Sequence, residues 1–430
     1  MPNNVDLIIF NIKELLTLKG NPQPRCGKEM NDLGIIEGGG LAINNGIILA
    51  VDRSDRIIND YVAPKMIDAA NRVVIPGFVD PHTHPVFYHT RENEFEMRIM
   101  GKSYVEISQS GGGIRSSIAA VRRASEEELY LLAKKRVMRM ISCGTTMLEA
   151  KSGYGLSTES ELKMLRVIKK LKETLPVDII ATFLGAHEFP SEYKDDRQKY
   201  IRILTEEMLP VVAKEGLAEY CDIFTEEHVY TIEESRTILR RAKELGFRIR
   251  MHADELKPIG GSELAAEVGA VSADHLGAAS AEGINAMKQS GVIPILLPGT
   301  IFSLGLNSYA RARDMIDSGL PVSLATDYNP GSCNCDSMQF IITLATLQMK
   351  MTVAEAITAA TINAAYSLEA GDRVGSLETG KQADVLMMDM PSYRYLPYHF
   401  GSNNVATVIK KGKVIYQNRD IEIINDYLDN

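Results

Sequence analysis

The sequence predicts an α/β fold: a (β/α)8 TIM-type barrel with a small β-sandwich domain built from both chain termini. First, eight short apolar segments rich in β-branched residues alternate with charged segments of helical period between Val73 and Gly371. Second, this region of roughly 300 residues has the length that eight βα units need. Third, the sequence on either side of it consists of strand and turn patterns.

The small β domain is predicted from residues 1–75 and 372–430, and the barrel from residues 76–371. The first part contains DLIIFN and GGLAINNGIILAVD, where Asn45-Gly46 between alternating apolar residues predicts a hairpin. The last part contains VGSLETGKQADVLMMD and ATVIKKGKVIYQ, which are again strand and turn patterns. Both chain ends are therefore expected to build one β unit beside the barrel.

Within the barrel, two helices illustrate the predicted boundaries. SEEELYLLAKKRVMRMIS and TIEESRTILRRAKELG each start at Ser or Thr with Glu three residues on, which is a capping pattern. The predicted barrel strands are VVIPGFVDPHTH, TTMLEAKSG, DIIATFLGAH, YCDIFTEE, FRIRMHADE, VSADHLG, VIPILLPG and VSLATDYN.

Composition excludes several classes of partner. The chain has 430 residues, 45% of them hydrophobic and 24% charged, and a net charge of −9, so neither nucleic acid nor an anionic membrane is expected to bind it. An anionic small-molecule substrate would need a local cation. Five scattered cysteines fit a reducing compartment without disulfides, and no signal peptide or membrane-spanning run is found, so a cytoplasmic location is expected.

Scarce histidines fall at the ends of predicted strands. His82 and His84 follow the first strand, His252 the fifth, and Asp327 the eighth. Barrel enzymes build their sites from the carboxyl ends of several strands. Three imidazoles and one carboxylate suit one divalent metal ion per chain, zinc or iron, with a position left for water. The alternative for the His82 and His84 pair alone is two polar residues at a strand end.

Catalytic roles follow from the same strand ends. A divalent ion makes hydroxide available at neutral pH for attack on a carbonyl, and Asp327 can take the proton. Glu255 is a candidate acid, base or ring contact, and His275 a candidate partner of the oxyanion or the attacking water. The alternatives are a solvated loop carboxylate for Glu255 and a buried strand-end histidine for His275.

Two loops and two cysteines offer further candidates. Arg91 follows the first strand, where a guanidinium could grip a carboxylate, although a surface ion pair is the alternative. Tyr154 lies between two glycines in KSGYGL, and TDYNPGS extends the eighth strand. Cys333 and Cys335 resemble half of a soft metal site, but no second pair completes it.

Two charged residues on the strands are expected to have supporting roles. Lys151 ends the second strand and is expected to make backbone or substrate contacts, so we predict a single ion and not a lysine-bridged pair. Asp80, on the same side as the two histidines but deeper in the barrel, is expected to orient a metal ligand.

Several segments in this order resemble the amidohydrolase superfamily over nearly the whole chain: PHTHPVF, KSGYGL, FLGAHEFP, HADEL, SADHLG and SLATDYNPGS. They are most similar to the members that hydrolyse 4-imidazolone-5-propanoate to N-formimidoyl-L-glutamate in histidine degradation, by attack of a metal-bound hydroxide on the ring carbonyl. The resemblance implies the metal ligands His82, His84, His252 and Asp327. It assigns to the substrate Arg91, Tyr154, His187, Glu255, Asn329, Gly331 and Ser332.

Two rival functions and one departure remain from the sequence. A cytosine- or guanine-type deaminase would share the metal ligands, but KSGYGL, FLGAH and TDYNPGS argue against it. A barrel that keeps the fold as a scaffold without chemistry is the rival of another class. Glu188 stands after His187 where the family usually has a small residue.

Such barrels commonly form homo-oligomers, which leaves a homodimer open.

Overall fold

The computed structural model describes residues 2–102, 106 and 112–418. Its strands, in chain order, are β1 (Asn3–Asn4), β2 (Leu7–Leu16), β3 (Ile35–Asn44), β4 (Ile47–Arg53), β5 (Tyr61–Val62), β6 (Lys65–Asp68), β7 (Val73–Pro76), β8 (Phe78–Asp80), β9 (Thr145–Lys151), β10 (Asp178–Ala186), β11 (Tyr220–Thr225), β12 (Arg248–Ala253), β13 (Ser272–His275), β14 (Ile293–Leu296), β15 (Ser323–Leu324), β16 (Val385–Met388), β17 (Val405–Lys410) and β18 (Lys413–Gln417).

The α-helices span Ser54–Asp60, Glu92–Ile99, Ile114–Arg123, Glu126–Ser142, Thr158–Thr174, Arg197–Arg202, Leu209–Glu215, Ile232–Glu244, Gly261–Val268, Ala281–Ser290, Pro298–Ser303, Ala312–Asp317, Met338–Met349, Val353–Ala359, Ile362–Ser367 and Tyr395–Tyr398. A π-helical turn, Ile203–Met208, links two of them, and 3-10 turns lie at Gly27–Asn31 and Ser191–Tyr193. Among the described helices, none is long and apolar enough to cross a membrane.

The barrel is the parallel sheet formed by β8 to β15, each paired with the next in chain order. The eight predicted strands are all present, and the predicted fold class is confirmed. Both capping patterns are formed as expected, since Ser125 accepts from the backbone of Glu128 and Thr231 from that of Glu234. Parallel pairing brings all the strand carboxyl ends, where the candidate residues were predicted, to one rim.

The barrel closes through loops at that rim. The strand ladder runs from β8 to β15, and its two ends are joined beyond the strands, where the backbone N–H of Asp327 donates to the carbonyl of His82 at 3.1 Å. The N–H of His84 donates to the carbonyl of Tyr328 at 2.8 Å, and Thr83 bridges Tyr328 in parallel register. We call this junction of His82–His84 with Asp327–Tyr328 the barrel seam. Three of the four predicted metal ligands therefore lie on the seam.

A second sheet of eight strands unites the two ends of the chain. Its order is β18-β17-β16-β7-β2-β3-β4, and β6 pairs in addition with the first part of β2. The predicted hairpin is present between β3 and β4, with positive φ at Asn45 and Gly46, as a tight two-residue turn requires. This sheet is the predicted small β unit, whose limits at 1–75 and 372–430 remain a prediction; residues 419–430 lie outside the described part of the chain.

The segment VVIPGFVD, predicted as one strand, is divided between the two sheets. Val73–Pro76 pairs with β16 in the terminal sheet, whereas Phe78–Asp80 pairs with β9 in the barrel. Gly77 is the pivot, because its N–H donates to the carbonyl of Asp384 and a Cβ there would overlap the side chain of Thr146. A run of apolar residues does not show where a strand changes sheets.

Candidate active site

The side chains of the predicted metal ligands converge at the rim. Nε2 of His82 lies 3.3 Å from Nε2 of His84 and 3.5 Å from Oδ1 of Asp327, and His84 Nε2 lies 3.6 Å from the same oxygen. His252 completes a group with the two histidines in which one ring nitrogen from each lies within 4.8 Å of the others. Ligands about 2.05 Å from a tetrahedral ion lie about 3.3 Å apart, so this spacing fits one divalent metal ion.

The protonation of the ligands also fits a cation. Burial lowers the pKa of His82 and of His84 well below the ordinary value, which keeps both imidazoles neutral with a lone pair to offer. Burial raises the pKa of Asp327 to about 6, although Thr300 donates a hydrogen bond of 2.5 Å to its carboxylate. A buried carboxylate of this kind is stabilised as an anion by a cation beside it.

Backbone strain accompanies two of the site residues. Asp327 has a φ of 52° and His275 a φ of 77°, in the left-handed region that costs a non-glycine residue about 1–3 kcal/mol. The seam holds Asp327, and the loop after His275 is joined to β12 through the Leu276 N–H and the carbonyl of Ala253. Both side chains are thereby fixed toward the centre of the rim.

Arg136 supports the segment that follows His84. Its guanidinium, on the helix Glu126–Ser142, donates to the carbonyls of Pro85 at 3.1 Å and Phe87 at 2.5 Å and lies over the ring of Phe87. The side chain is buried, and burial lowers its pKa to about 10. Replacing it would leave these carbonyls without donors directly behind a metal ligand.

Asp254 shapes the loop that carries Glu255. Its carboxylate accepts from the backbone N–H groups of Ile259, Gly260, Gly261 and Ser262 at 2.8 to 3.2 Å, and from the Ser262 hydroxyl. The residue is buried, with a φ of 47° that Asp tolerates. The loop is thus folded back onto the start of the helix Gly261–Val268, and the sequence reading had assigned Asp254 no role.

Glu255 and His275 face each other beside the metal ligands. Oε2 of Glu255 lies 3.6 Å from Nδ1 of His275, and the His275 ring centre lies 5.2 Å from that of His252. Burial, and then the charge of Asp327, raises the pKa of Glu255 to about 8, whereas burial lowers that of His275 well below the ordinary value. At neutral pH the carboxyl therefore holds a proton and the imidazole is neutral, a pair suited to acid–base chemistry.

On the opposite side of the ligands lie two predicted substrate contacts. The ring of His187 stacks on His84 with centres 5.3 Å apart, and Tyr154 lies 5.2 Å from His187. His187 Nδ1 is 2.9 Å from the carbonyl of Gly153, so that contact can fix the ring orientation. Burial lowers the pKa of His187 to about 3 and raises that of Glu188, which leaves His187 neutral.

Arg91 lies against the loop after β15, but it already has a partner. Its Nε and Nη2 are 2.9 and 2.6 Å from Oε2 of Glu94. A Cβ on Gly331 would overlap Nη1 of Arg91, so glycine is what admits the guanidinium there. Nη1 of Arg91 faces the loop after β15, and there it could bind the carboxylate of a substrate.

Asn329 organises that same loop. Its side chain donates to the carbonyl of Asp327 at 2.7 Å and to the hydroxyl of Ser332 at 2.9 Å, and it accepts from the N–H groups of Gly331 and Ser332. These bonds occupy the amide within the loop. Substrate contacts of Asn329, Gly331 and Ser332 remain predictions.

Beneath the predicted metal ligands lies a set of charged side chains, of which only Lys151 was considered from the sequence. Glu149, Lys151, Asp222, Arg250 and Asp274 are all fully buried inside the barrel, and we call them the buried charged layer. The expected backbone or substrate contacts of Lys151 are wrong, because its ammonium group is enclosed by carboxylates of this layer. Glu149 and Lys151 are two apart on one strand, a spacing that places both side chains on the same face of β9.

Asp80 supports the segment that carries Asp327. Its carboxylate accepts from the backbone N–H of Thr326 at 3.0 Å and from its hydroxyl at 2.6 Å, so it supports the residue before Asp327 and strengthens the seam. Among the described residues, its carboxylate forms no hydrogen bond with a histidine side chain, and its expected role of orienting a metal ligand remains a prediction. Burial raises its pKa to about 7.

Comparison with known proteins places the chain in a family. The model of the amidohydrolase family matches residues 73–415. An imidazolonepropionase of Alkaliphilus oremlandii (strain OhILAs) is 45% identical over 97% of this chain and 100% of its own length. That of Geobacillus kaustophilus (strain HTA426) is 47% identical over 97% of this chain and 99% of its own length. That of Symbiobacterium thermophilum (strain DSM 24528 / JCM 14929 / IAM 14863 / T) is 48% identical over 96% of this chain and 97% of its own length. The chain belongs to the imidazolonepropionases of the amidohydrolase family.

Solved structures of other amidohydrolases share the fold of this imidazolonepropionase family member. An adenosine deaminase of Xanthomonas campestris with bound zinc aligns with a TM-score of 0.71 at 17% identity, covering 99% of this chain and 98% of its own. The guanine deaminase of E. coli aligns with a TM-score of 0.72 at 14% identity, covering 96% and 99%. At such identities the likeness shows the fold alone. The predicted resemblance to the imidazolonepropionases is confirmed by the sequence relatives, and the chain is a hydrolase.

Proposed function

We propose that the chain hydrolyses the ring amide of 4-imidazolone-5-propanoate to give N-formimidoyl-L-glutamate. The observation that carries the proposal is the convergence of three imidazoles and the Asp327 carboxylate with Glu255 and His275 at one rim, in a chain nearly half identical to imidazolonepropionases over its whole length. Ring opening needs a nucleophilic oxygen, a stabilised oxyanion and a proton for the leaving nitrogen. Each requirement has a candidate group at the rim.

The metal centre is assigned to His82, His84, His252 and Asp327. A bound divalent ion supplies an activated water at neutral pH and polarises the carbonyl under attack. Three imidazoles and one carboxylate suit zinc or iron, and metal analysis of the purified chain identifies which is present. About one ion per chain is expected, because these four ligands form a single set.

The proton transfers are assigned to three side chains. Asp327, with its pKa raised to about 6, takes the proton of the attacking water. His275, neutral through burial, donates an N–H to the oxygen on which negative charge develops. Glu255, whose pKa is raised to about 8, holds a proton at neutral pH and delivers it to the leaving ring nitrogen. The rings of His187 and Tyr154 line the opposite side of the substrate.

The propionate group of the substrate is assigned to Arg91 and the loop that carries Ser332. Arg91 is a cation beside this loop in a chain of net charge −9. Arg91→Ala should raise KM about tenfold to a hundredfold, the loss expected for one charge-assisted hydrogen bond. Arg123→Ala, at an exposed helix end, is the matched control. An unchanged KM would move the carboxylate contact to Ser332.

Turnover of 4-imidazolone-5-propanoate, followed as loss of ring absorbance, tests the function directly. Cytosine and guanine serve as control substrates, since a deaminase would consume them instead. Asp327→Ala should abolish turnover, and full activity in that variant would refute the mechanism. A barrel without chemistry would turn over none of the three.

We also infer that the purified chain forms a homodimer and is cytoplasmic. The first inference rests on how commonly barrels of this kind self-associate, and light scattering on the purified chain measures it directly. The second rests on the cysteine usage and the sequence patterns described above. Fluorescence microscopy of a tagged chain in the source cells checks the location.

A further inference from the structure

The buried charged layer is unusual for the interior of a barrel. Layers of branched apolar side chains normally fill that space. Here three carboxylates and two cations are fully buried together, at a cost in desolvation that only close pairing offsets. Because burying these charges is unfavourable, we expect them to have a role that their position explains. They lie directly beneath the predicted metal ligands and can support them.

Lys151 lies at the centre of the layer. Its Nζ is 2.6 Å from Oε1 of Glu149, 2.7 Å from Oδ2 of Asp222 and 3.8 Å from Oδ2 of Asp274. These carboxylates belong to three different strands, β9, β11 and β13. One ammonium group therefore connects three strands of the barrel. Arg250 adds a second cation 3.6 Å from both Glu149 and Asp274.

The same carboxylate oxygens reach the metal ligands. Oδ2 of Asp274 is 2.6 Å from Nδ1 of His82, and Oδ2 of Asp222 is 3.0 Å from Nδ1 of His252. Oδ2 of Asp222 therefore lies between His252 and the ammonium group of Lys151, whereas Oδ2 of Asp274 is close to His82 and lies 3.8 Å from Lys151 and 3.6 Å from Arg250. A carboxylate at Nδ1 holds the proton on that nitrogen and leaves the Nε2 lone pair for an ion.

We propose that Lys151 is a positioning residue of the metal centre, which fixes Asp222 and Asp274 so that His252 and His82 direct Nε2 at the same ion. The proposal rests on the metal ligand set of the proposed function. Without the ammonium group, Asp222 loses the cation 2.7 Å away, and Arg250 alone is left to offset the repulsion among the three carboxylates of the layer. The imidazoles then lose their fixed tautomer and orientation, and the ion is held less tightly.

Zinc affinity of the purified chain tests this role independently of turnover. The chain is stripped with a chelator, and the Kd for Zn²⁺ is measured by competition with a chromogenic chelator. Lys151→Met should weaken Zn²⁺ binding about tenfold to a hundredfold, the range seen when partners of ligating residues are removed. The absorption spectrum of the Co²⁺-loaded variant should also differ from that of the wild type, because the ligand geometry changes.

Lys410→Met is the matched control. Lys410, the last residue of β17, is likewise buried, with Nζ 2.7 Å from Oδ2 of Asp178 and from Oδ2 of Asp384. Its partner Asp178 is the first residue of β10, so this cluster lies at the end of the barrel opposite the rim. Loss of Lys410 should lower stability and leave Zn²⁺ affinity unchanged. Equal weakening by both variants, or unchanged affinity in Lys151→Met, would overturn the proposal.

A folded variant is needed for the comparison. Lys151→Gln keeps N–H donors toward the same carboxylates without the charge, and it should weaken Zn²⁺ binding less than Lys151→Met. If neither variant folds in excess Zn²⁺, Lys151 serves the fold and the proposal fails. A wild-type chain that binds no Zn²⁺ would instead refute the proposed metal centre, so the two failures are distinct.

Discussion

Replacing Asp254 by Asn should destabilise the chain by about 3 kcal/mol. The carboxylate accepts from four backbone N–H groups and one hydroxyl, and Asn offers one oxygen in place of two. The amide oxygen can keep the three donors on Oδ1, each weakened by about 0.5 kcal/mol through the loss of charge. The Ser262 N–H then faces an NH2 group, and an unsatisfied buried donor costs about 1–3 kcal/mol. The Ser262 hydroxyl can rotate to accept from that amide.

Urea unfolding measures the change. The sequence contains no tryptophan, so helical circular dichroism is the suitable signal. A loss of about 3 kcal/mol should lower the urea midpoint by up to about 1 M. Asp195→Asn, at an exposed position, is the control and should leave the midpoint unchanged. A change below about 0.5 kcal/mol for Asp254→Asn would refute the reasoning, because it would mean that solvent satisfies these donors equally well.

Three further outcomes are expected. Glu355→Gln should cost about 1–2 kcal/mol in urea titrations at pH 7, since it weakens the bonds from Arg313. Burial would raise the pKa of Glu355, but Arg313 and other donors lower it below the ordinary value. The stabilisation is therefore present at neutral pH and is lost as the pH falls through the folded pKa. An equal stability difference between Glu355→Gln and the wild type in acid would contradict this. Gly77→Ala should lower stability by about 1–3 kcal/mol through overlap with Thr146, read as a lower thermal midpoint. Chelation should abolish turnover and lower the thermal midpoint, and added zinc or iron should restore both.

The site residues at the rim could be predicted because they lie at the carboxyl ends of the barrel strands. His252 lies at the carboxyl end of β12, and His82, His84 and Asp327 lie within four residues of the carboxyl ends of β8 and β15, so parallel pairing brings these positions together. The eight strands were predictable for the same reason, since short β-branched runs alternate with capped amphipathic helices.

The supporting residues were less predictable, because their roles depend on contacts between distant strands. Lys151 meets Asp222 and Asp274 only once the barrel is formed, because the three residues lie on different strands. The role of Asp80 depends on where the ladder ends, which no local pattern shows. Gly77 divides an apolar run that has no polar residue to mark the change of sheet.

The pairing of β7 with β16 has a consequence for the order of synthesis. Pro76 lies opposite Val385, so a strand made early waits for a partner made roughly 300 residues later. At about 5–20 residues per second, that wait on the ribosome lasts about 15–60 s. During it, the apolar edge of β7 is exposed on a nascent chain whose barrel is still being added. Slow translation or a missing C-terminal segment would therefore leave this edge open to aggregation, even after every strand of the barrel has been made.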